Sequence, residues 1–361
     1  MAQLVFVHGV ANRGGVENDA AVANRTTMFK KLLFTGTPST IRSPAWGDLI
    51  PDINQQVFTT EQTSRSLSLN IPDDRAPVKH SLELPSTEDP LAVLDELTVN
   101  LVSRADRERR ELTSQELQLL ANIIALIESG QAAALFAENR DTVAIEEALR
   151  GGMPATLSIS SKLGQAFESV VDRLSNVGGK IINPSVQAKR PDIALFISDV
   201  LVYLREGEKR DLIRQRVVEQ LRLAHQAKDG PLILVGHSMG GVILTDLLSN
   251  PAAAGLPADF QADALFTVGS QPGLFASLGL LGDSDTGTAL RPKPAAVQHW
   301  LNVFDPIDPL AFRAAPLFSG VEDLIFSAID GPFDTHGAYF KRAQFYVRAR
   351  QHLLKWKLLS A

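Results

Sequence analysis

Short, unbroken apolar runs recur along the chain and predict the strands of a buried sheet. A strand that is covered on both faces of a parallel sheet is apolar throughout, whereas a strand with one solvated face alternates apolar and polar positions. Most of the runs here are of the first kind, so the pattern predicts a mostly parallel, twisted sheet. The predicted strands are residues 4–7, 40–43, 232–235, 264–268, 297–304 and 324–329.

Between these runs, apolar residues recur at the spacing of a helix. Val242, Ile243, Leu247 and Leu248 follow the third run at helical spacing, and Asn250-Pro251 ends that helix. Strands that alternate with amphipathic helices predict an α/β fold with helices on both faces of the sheet. The other predicted helices of this kind are residues 18–34, 192–204, 208–228 and 338–359.

The alternation stops between residues 51 and 190. Leu91, Leu94, Leu97 and Leu101 share one helix face, and residues 116–127 are the most apolar helical stretch outside the sheet. We therefore expect a core domain formed by residues 1–50 and 191–361, with residues 51–190 as a large helical insertion.

The corner between the third strand and its helix reads Gly236-His237-Ser238-Met239-Gly240. Glycines on either side of a serine allow a strained turn in which strand and helix approach closely. The free N–H groups of the helix start, with Met239 first, would face negative charge developing near Ser238. A second interpretation is that Ser238 only caps the helix.

Composition excludes several classes of function. The 361 residues include no cysteine, which excludes disulfide scaffolds, thiolate catalysis and cysteine-based metal sites. A formal net charge of −6 provides no basic field for nucleic acid. We find no metal-binding motif and expect neither a metal nor another cofactor. The opening residues, Met1 to Gly9, enter a core strand directly, which predicts a cytoplasmic protein.

Two later motifs contain an aspartate and a histidine that could act together with Ser238. We call the turn from Gly236 to Gly240 the serine corner. Asp308-Pro309-Leu310-Ala311 follows the fifth run, and His336-Gly337-Ala338-Tyr339-Phe340 follows the last one. With the Gly-x-Ser-x-Gly corner, these motifs resemble those of α/β-hydrolases, in particular the triacylglycerol lipases typified by the fungal enzymes. The resemblance implies Ser238 as nucleophile, His336 as general base and Asp308 as the acid. Asp305 is the alternative acid. The resemblance also implies that the helical insertion of residues 51–190 forms a cap or lid.

The same resemblance suggests the groups around the nucleophile. The first strand runs into His8-Gly9-Val10, which is similar to the oxyanion loop of lipases and esterases, so Val10 and Met239 are the expected oxyanion donors. His8, His237 and Trp46 are expected to line the site, although Trp46 also suits a core position. Residues 273–296, which include Phe275, predict a long apolar loop at the substrate rim.

The prediction is therefore a serine hydrolase of carboxylic esters, lipid or phospholipid esters above all, acting through an acyl-enzyme. Acyltransferase, thioesterase and a non-catalytic interaction module are the alternatives. The C-terminal helix is rich in Lys and Arg and lacks acids after Ala338. Its interpretations are a docked helix and a basic face that contacts membrane lipid peripherally. A cytoplasmic lipase that could attack its own membrane would need restraint by a partner or a closed lid, and the sequence identifies neither.

Overall fold

The structure is a computed structural model that describes residues 1–9, 16–50, 90–130, 199–281, 290–308, 310–326 and 335–360. Its centre is a six-stranded sheet. The strands are β1 (Ala2–Val7), β2 (Ser39–Arg42), β3 (Leu232–His237), β4 (Ala262–Val268), β6 (Val297–Phe304) and β8 (Val321–Ile325). They lie in the order β2-β1-β3-β4-β6-β8, and every neighbouring pair is parallel. A separate pair joins β5 (Arg291–Pro292) to β7 (Phe318–Ser319).

The helices cover both faces of this sheet, as the sequence pattern predicts. They are α1 (Val16–Met28), α2 (Pro90–Arg107), α3 (Ser114–Glu128), α4 (Glu208–Ala227), α5 (Met239–Ser249), α6 (Pro272–Ser277), α7 (Thr335–Ala338) and α8 (Ala343–Lys355). A π-helical turn, Phe29–Leu33, continues α1, and short 3-10 turns form at Gly47–Leu49 and Tyr339–Lys341. Residues 199–204 are also helical.

Alternate residues of β1 divide the core into two apolar clusters. Leu4 and Phe6 point to one cluster, which also receives Met28 and side chains of α2, α3 and α8. Val5 and Val7 point to the other cluster, which is covered by α4, α5 and α6. Because successive side chains of a strand face opposite ways, both faces need a cover of helices. The protein is therefore of the α/β class.

The strand order changes direction beside β1. The chain passes from β1 to β2 on one side and later to β3 on the other side, where Val7 is in register with Gly236. In open α/β sheets such a reversal leaves a crevice at the carboxyl ends of the two strands, where ligands bind. His8, Gly9 and Ser238 follow these two ends directly.

Part of the predicted insertion lies among the described residues. Helices α2 and α3 pack against the first cluster, and Thr113 with Glu116 forms the capping box that starts α3. Asp95 of α2 accepts hydrogen bonds from the backbone and side-chain N–H groups of Gln344 in α8. The remainder of the insertion, residues 51–89 and 131–190, lies outside the described residues, so the domain boundaries stay a prediction.

Several predicted elements differ from the structure. The last strand, predicted over residues 324–329, is Val321–Ile325. Residues 273–296 were expected to form one loop, but Pro272–Ser277 is a helix, because Pro272 suits the first turn of a helix. The predicted C-terminal helix of residues 338–359 is interrupted at Arg342, whose extended backbone ends one turn and precedes α8.

The basic residues of that C-terminal region contact the rest of the protein. Lys341 pairs with Asp106 at 3.4 Å, and Lys355 pairs with Glu322 at 3.6 Å. Arg348 and Arg350 donate hydrogen bonds to the backbone carbonyls of Ile325 and Leu33. These contacts favour the docked-helix interpretation.

Candidate active site

Ser238 occupies a strained backbone position between β3 and α5. Its φ of 51° and ψ of −126° belong to a backbone region that residues other than glycine rarely adopt. Its N–H donates to the carbonyl of Val268 at 3.0 Å, and its own carbonyl accepts the hydroxyl of Ser270 at 2.6 Å. Contacts on both sides of the residue therefore maintain this conformation.

Two glycines allow the first strand and the serine corner to approach each other. A Cβ on Gly9 would lie 2.6 Å from the Cβ of Ser238, and a Cβ on Gly240 would collide with the carbonyl of Val7. Backbone packing this close requires residues without side chains. The loop after β1 and the start of α5 thus meet directly at Ser238.

A continuous chain of hydrogen bonds joins Ser238, His336 and Asp308. The Nε2 of His336 lies 2.9 Å from the Oγ of Ser238, and its Nδ1 lies 2.9 Å from the Oδ2 of Asp308. The Ser238 residue is 1% exposed, and the Asp308 side chain is fully buried. In this arrangement the imidazole can take a proton from the hydroxyl while the carboxylate stabilises the resulting cation.

Asp308 is held by further donors. Tyr339 donates its hydroxyl hydrogen to Oδ2 at 2.9 Å, and the N–H of Leu310 donates to Oδ1 at 2.9 Å. Burial, together with the charge of Asp308, raises the pKa of Tyr339 well above its usual value, so the phenol remains a donor. Both carboxylate oxygens therefore have a partner within the protein.

Asp305, the alternative acid, has a different environment. Its Oδ1 accepts the N–H of Ile307 at 3.0 Å, and its Oδ2 lies 3.8 Å from the guanidinium of Arg342. Burial raises the pKa of Asp305. Among the described contacts of Asp305 there is none with His336, so the structure brings Asp308, and not Asp305, to the imidazole.

His8 and Trp46 form a buried stack beside the serine corner. Their rings are parallel within 2° at a centroid separation of 5.1 Å, and Trp46 donates its indole N–H to the His8 carbonyl at 3.1 Å. Burial lowers the pKa of His8 to about 4, so the ring is neutral at neutral pH. The pair fixes the backbone that leads into Gly9.

Of the predicted oxyanion donors, the structure describes one. Met239 is the first residue of α5, where backbone N–H groups have no partner within the helix. Val10 lies outside the described residues. The two predictions about oxyanion donors therefore stay predictions.

Two of the predicted lining side chains occupy core positions. Trp46 is completely buried, and Phe275 is 5% exposed within the cluster beneath α5. Phe275 thus packs with the apolar core, and its expected role in lining the site stays a prediction. His237 lies next to the predicted general base, since its ring centroid is 5.0 Å from that of His336.

Some residues that shape the site were not assigned a role from the sequence. Tyr339 lies within the His336 motif, which was the available signal for it. Ser270 and Gln271 follow the carboxyl end of β4, and Gln271 donates to the carbonyls of Gly269 and Leu310. Their position after a parallel strand was the only sequence signal, because no local motif includes them.

Neither a metal centre nor a membrane span is found in the part of the chain that the structure describes. No group of three or more His, Asp or Glu side chains there could hold a metal ion. None of the described helices is both long and apolar enough to cross a bilayer.

The chain is similar to two curated proteins. It is 33% identical over 135 residues to a probable mitochondrial phospholipase of Saccharomyces cerevisiae, a match that covers 34% of this chain and 18% of that protein. It is 30% identical over 159 residues to a probable mitochondrial phospholipase of Schizosaccharomyces pombe, with 37% and 21% covered. The chain thus spans about a fifth of the length of these relatives.

No family model matches the chain, and no solved structure matches it. Both relatives are named as mitochondrial, which contradicts the cytoplasmic location predicted from the first residues. That prediction was wrong because it rested on the opening strand, and the amphipathic pattern of a folded core carries no information about its compartment.

Proposed function

We propose that the protein is a serine hydrolase that cleaves acyl esters of lipids, phospholipids in particular. The observation that carries this proposal is the unbroken hydrogen-bond chain from the Ser238 hydroxyl through His336 to Asp308. The names of the two relatives support phospholipids as the substrate class. A serine hydroxyl becomes a useful nucleophile at neutral pH when an adjacent imidazole removes its proton.

The proposed reaction has two halves. In the first half, Oγ of Ser238 attacks the ester carbonyl carbon while its proton passes to Nε2 of His336, which then protonates the leaving alcohol as the ester bond breaks. In the second half, His336 takes a proton from water as the water oxygen attacks the acyl carbon. The bond between this carbon and Oγ of Ser238 then breaks, His336 returns the proton to Oγ, and the fatty acid leaves. Asp308 stabilises the imidazolium in both halves, and Met239 N–H with Val10 N–H would bind the oxyanion.

The architecture supports assignment to the α/β-hydrolase fold. The proposed nucleophile lies at a strained turn after a central parallel strand. It is followed by helix α5, which is buried from Met239 to Leu248. The acid follows a later strand and the histidine follows the last one, in the order typical of that fold. The cap expected from residues 51–190 stays a prediction, because the described part of this range, α2 and α3, packs into the first core cluster. Helix α2 also contacts the Tyr339–Lys341 turn next to His336.

Exposed apolar side chains at the carboxyl edge support a lipid substrate. Leu278 and Leu280 follow α6, and Ile307 lies between Asp305 and Asp308; these three are 57%, 40% and 39% exposed. Large apolar groups on segments that leave the carboxyl ends of strands are suited to acyl chains.

A fluorophosphonate probe tests the nucleophile directly. We expect covalent labelling of the wild type and none of Ser238→Ala. The matched control is Ser249→Ala at the far end of the same helix, where the hydroxyl donates to the Thr245 carbonyl. This variant should label normally. Labelling of Ser238→Ala at the wild-type rate would remove Ser238 from the mechanism.

Release of fatty acid from phosphatidylcholine vesicles then tests the substrate class.

A further inference from the structure

The residue that precedes the proposed nucleophile contacts the residue that carries the proposed base. Nε2 of His237 lies 2.8 Å from the backbone carbonyl oxygen of His336. A carbonyl oxygen only accepts hydrogen bonds, so Nε2 must carry the hydrogen and His237 must be the donor. A bond between residues 99 positions apart thus links the end of β3 to α7.

The ring of His237 is also enclosed by the segment that follows His336. It packs edge-on against Phe340 at a centroid separation of 5.4 Å and lies 6.3 Å from the ring of Tyr339. Phe340 packs in turn against Phe6 of β1 at 5.0 Å. These aromatic contacts fix the plane of the His237 ring, so the Nε2–H direction is fixed as well.

His237 does not compete with His336 for protons. Burial, and then the neighbouring charge of His336, lowers the pKa of His237 to about 3. The ring is therefore neutral across the working pH range, and its single hydrogen is committed to the His336 carbonyl. His336 alone of the two contacts both Ser238 and Asp308 among the described residues.

We infer that His237 is a positioning residue that holds the backbone of His336 so that its imidazole faces Ser238. The inference rests on the proposed function. Ser238 is joined to His237 by one peptide bond, and His237 is hydrogen-bonded to the backbone of His336. This short connection restricts the distance between the Ser238 hydroxyl and the His336 imidazole. A displacement of about 1 Å between reacting groups lowers rates by about 100-fold.

Two substitutions separate the hydrogen bond from the packing. His237→Phe keeps a planar ring against Phe340 and removes the donor, whereas the side-chain amide of His237→Gln returns an N–H to the position of Nε2. On a soluble p-nitrophenyl ester we expect kcat of His237→Phe to fall about 10- to 100-fold with KM unchanged. His237→Gln should recover to within about threefold of wild type.

The control is His299→Phe, which replaces a histidine that stacks on Trp356 near the amino end of β6. It should leave kcat unchanged. Wild-type kcat in His237→Phe overturns the inference, as does an equal loss in the Phe and Gln variants.

Nitrogen-15 NMR of histidine-labelled protein provides a second readout that does not depend on hydrolysis. We expect the His237 signals to show the neutral tautomer with hydrogen on Nε2 down to about pH 5, given its lowered pKa. A ring with hydrogen on Nδ1, or a charged ring at pH 7, overturns the inference. Failure of the proposed function is distinguishable, because it appears as absence of fluorophosphonate labelling in the wild type while the tautomer is unaffected.

Discussion

Tyr339 and His336 contact the same carboxylate oxygen, Oδ2 of Asp308, each at 2.9 Å. The phenol oxygen also accepts the backbone N–H of Asp305 at 3.0 Å. One side chain therefore orients the acid and satisfies the turn that carries it. We therefore expect the Tyr339 hydroxyl to affect both the stability of the protein and its ester turnover.

We expect Tyr339→Phe to lower the free energy of unfolding by about 1–3 kcal/mol, because the buried N–H of Asp305 loses its acceptor. kcat should fall as well, because Asp308 loses a donor that orients it. Urea unfolding and ester turnover measure the two effects. Tyr346→Phe is the control, since that hydroxyl donates to the Phe340 carbonyl at 2.7 Å and does not contact Asp308 among the described contacts. Equal kcat values for the two variants would contradict the prediction.

The strained backbone at Ser238 predicts that two inactive variants of this residue differ in stability. Ser238→Ala and Ser238→Gly should both lose covalent catalysis, with residual kcat about a thousandth of wild type or less. Only the glycine variant relieves the strain at φ 51°, so it should be more stable than the alanine variant by about 1 kcal/mol. Chemical denaturation of the three proteins is the measurement. An alanine variant as stable as the glycine variant would show that the position is unstrained.

Substitution of the two acids tests their different environments. Asp308→Asn removes the charge that faces Nδ1 of His336, and we expect kcat to fall by about 10⁴-fold. Asp305→Asn keeps the acceptor for Ile307 and should lower kcat far less. The two variants differ by one atom from wild type, so steady-state kinetics compares them directly. A larger loss in Asp305→Asn would reverse the assignment.

A pH effect is expected at Asp95, the buried acid that joins α2 to α8. Burial raises the pKa of Asp95 from 3.8 to about 6. The native protein therefore binds more protons than the unfolded chain between these values, and this contribution to stability is lost as the pH rises through 6. Between pH 7 and pH 5 the wild type should gain about 1 kcal/mol relative to Asp95→Asn.

Urea unfolding of wild type and Asp95→Asn at pH 7, 6 and 5 checks this difference. His8 and His237, whose pKa values are lowered in the folded protein, destabilise both proteins equally on acidification, so their effect cancels in the comparison. Parallel pH profiles for the two proteins would contradict the raised pKa of Asp95.

The serine corner is the part of the molecule that local sequence specifies most fully. The apolar run, the glycines and the helical spacing around Ser238 are contiguous, and the structure confirms strand, turn and helix there. The sequence pattern also gave the position of β6, Val297–Phe304. In both places the deciding interactions are between near neighbours in the chain.

Features that depend on distant contacts were not predictable in this way. The bond from His237 to the His336 carbonyl and the second role of Tyr339 join segments that no local pattern relates. Arg342 interrupts the C-terminal helix where its buried guanidinium faces Asp305, a partner in another loop. The hydropathy pattern records which residues are buried, but it does not record which residues they meet.

The strand order has a consequence for the time at which the protein could become reactive. Ser238 follows β3, whereas His336 comes 98 residues later, beyond the edge strand β8. During synthesis on the ribosome, the serine emerges well before the imidazole that would activate it exists. Under the proposed function, the Ser238 hydroxyl therefore stays unactivated until the segment that carries His336 has been synthesised and has docked.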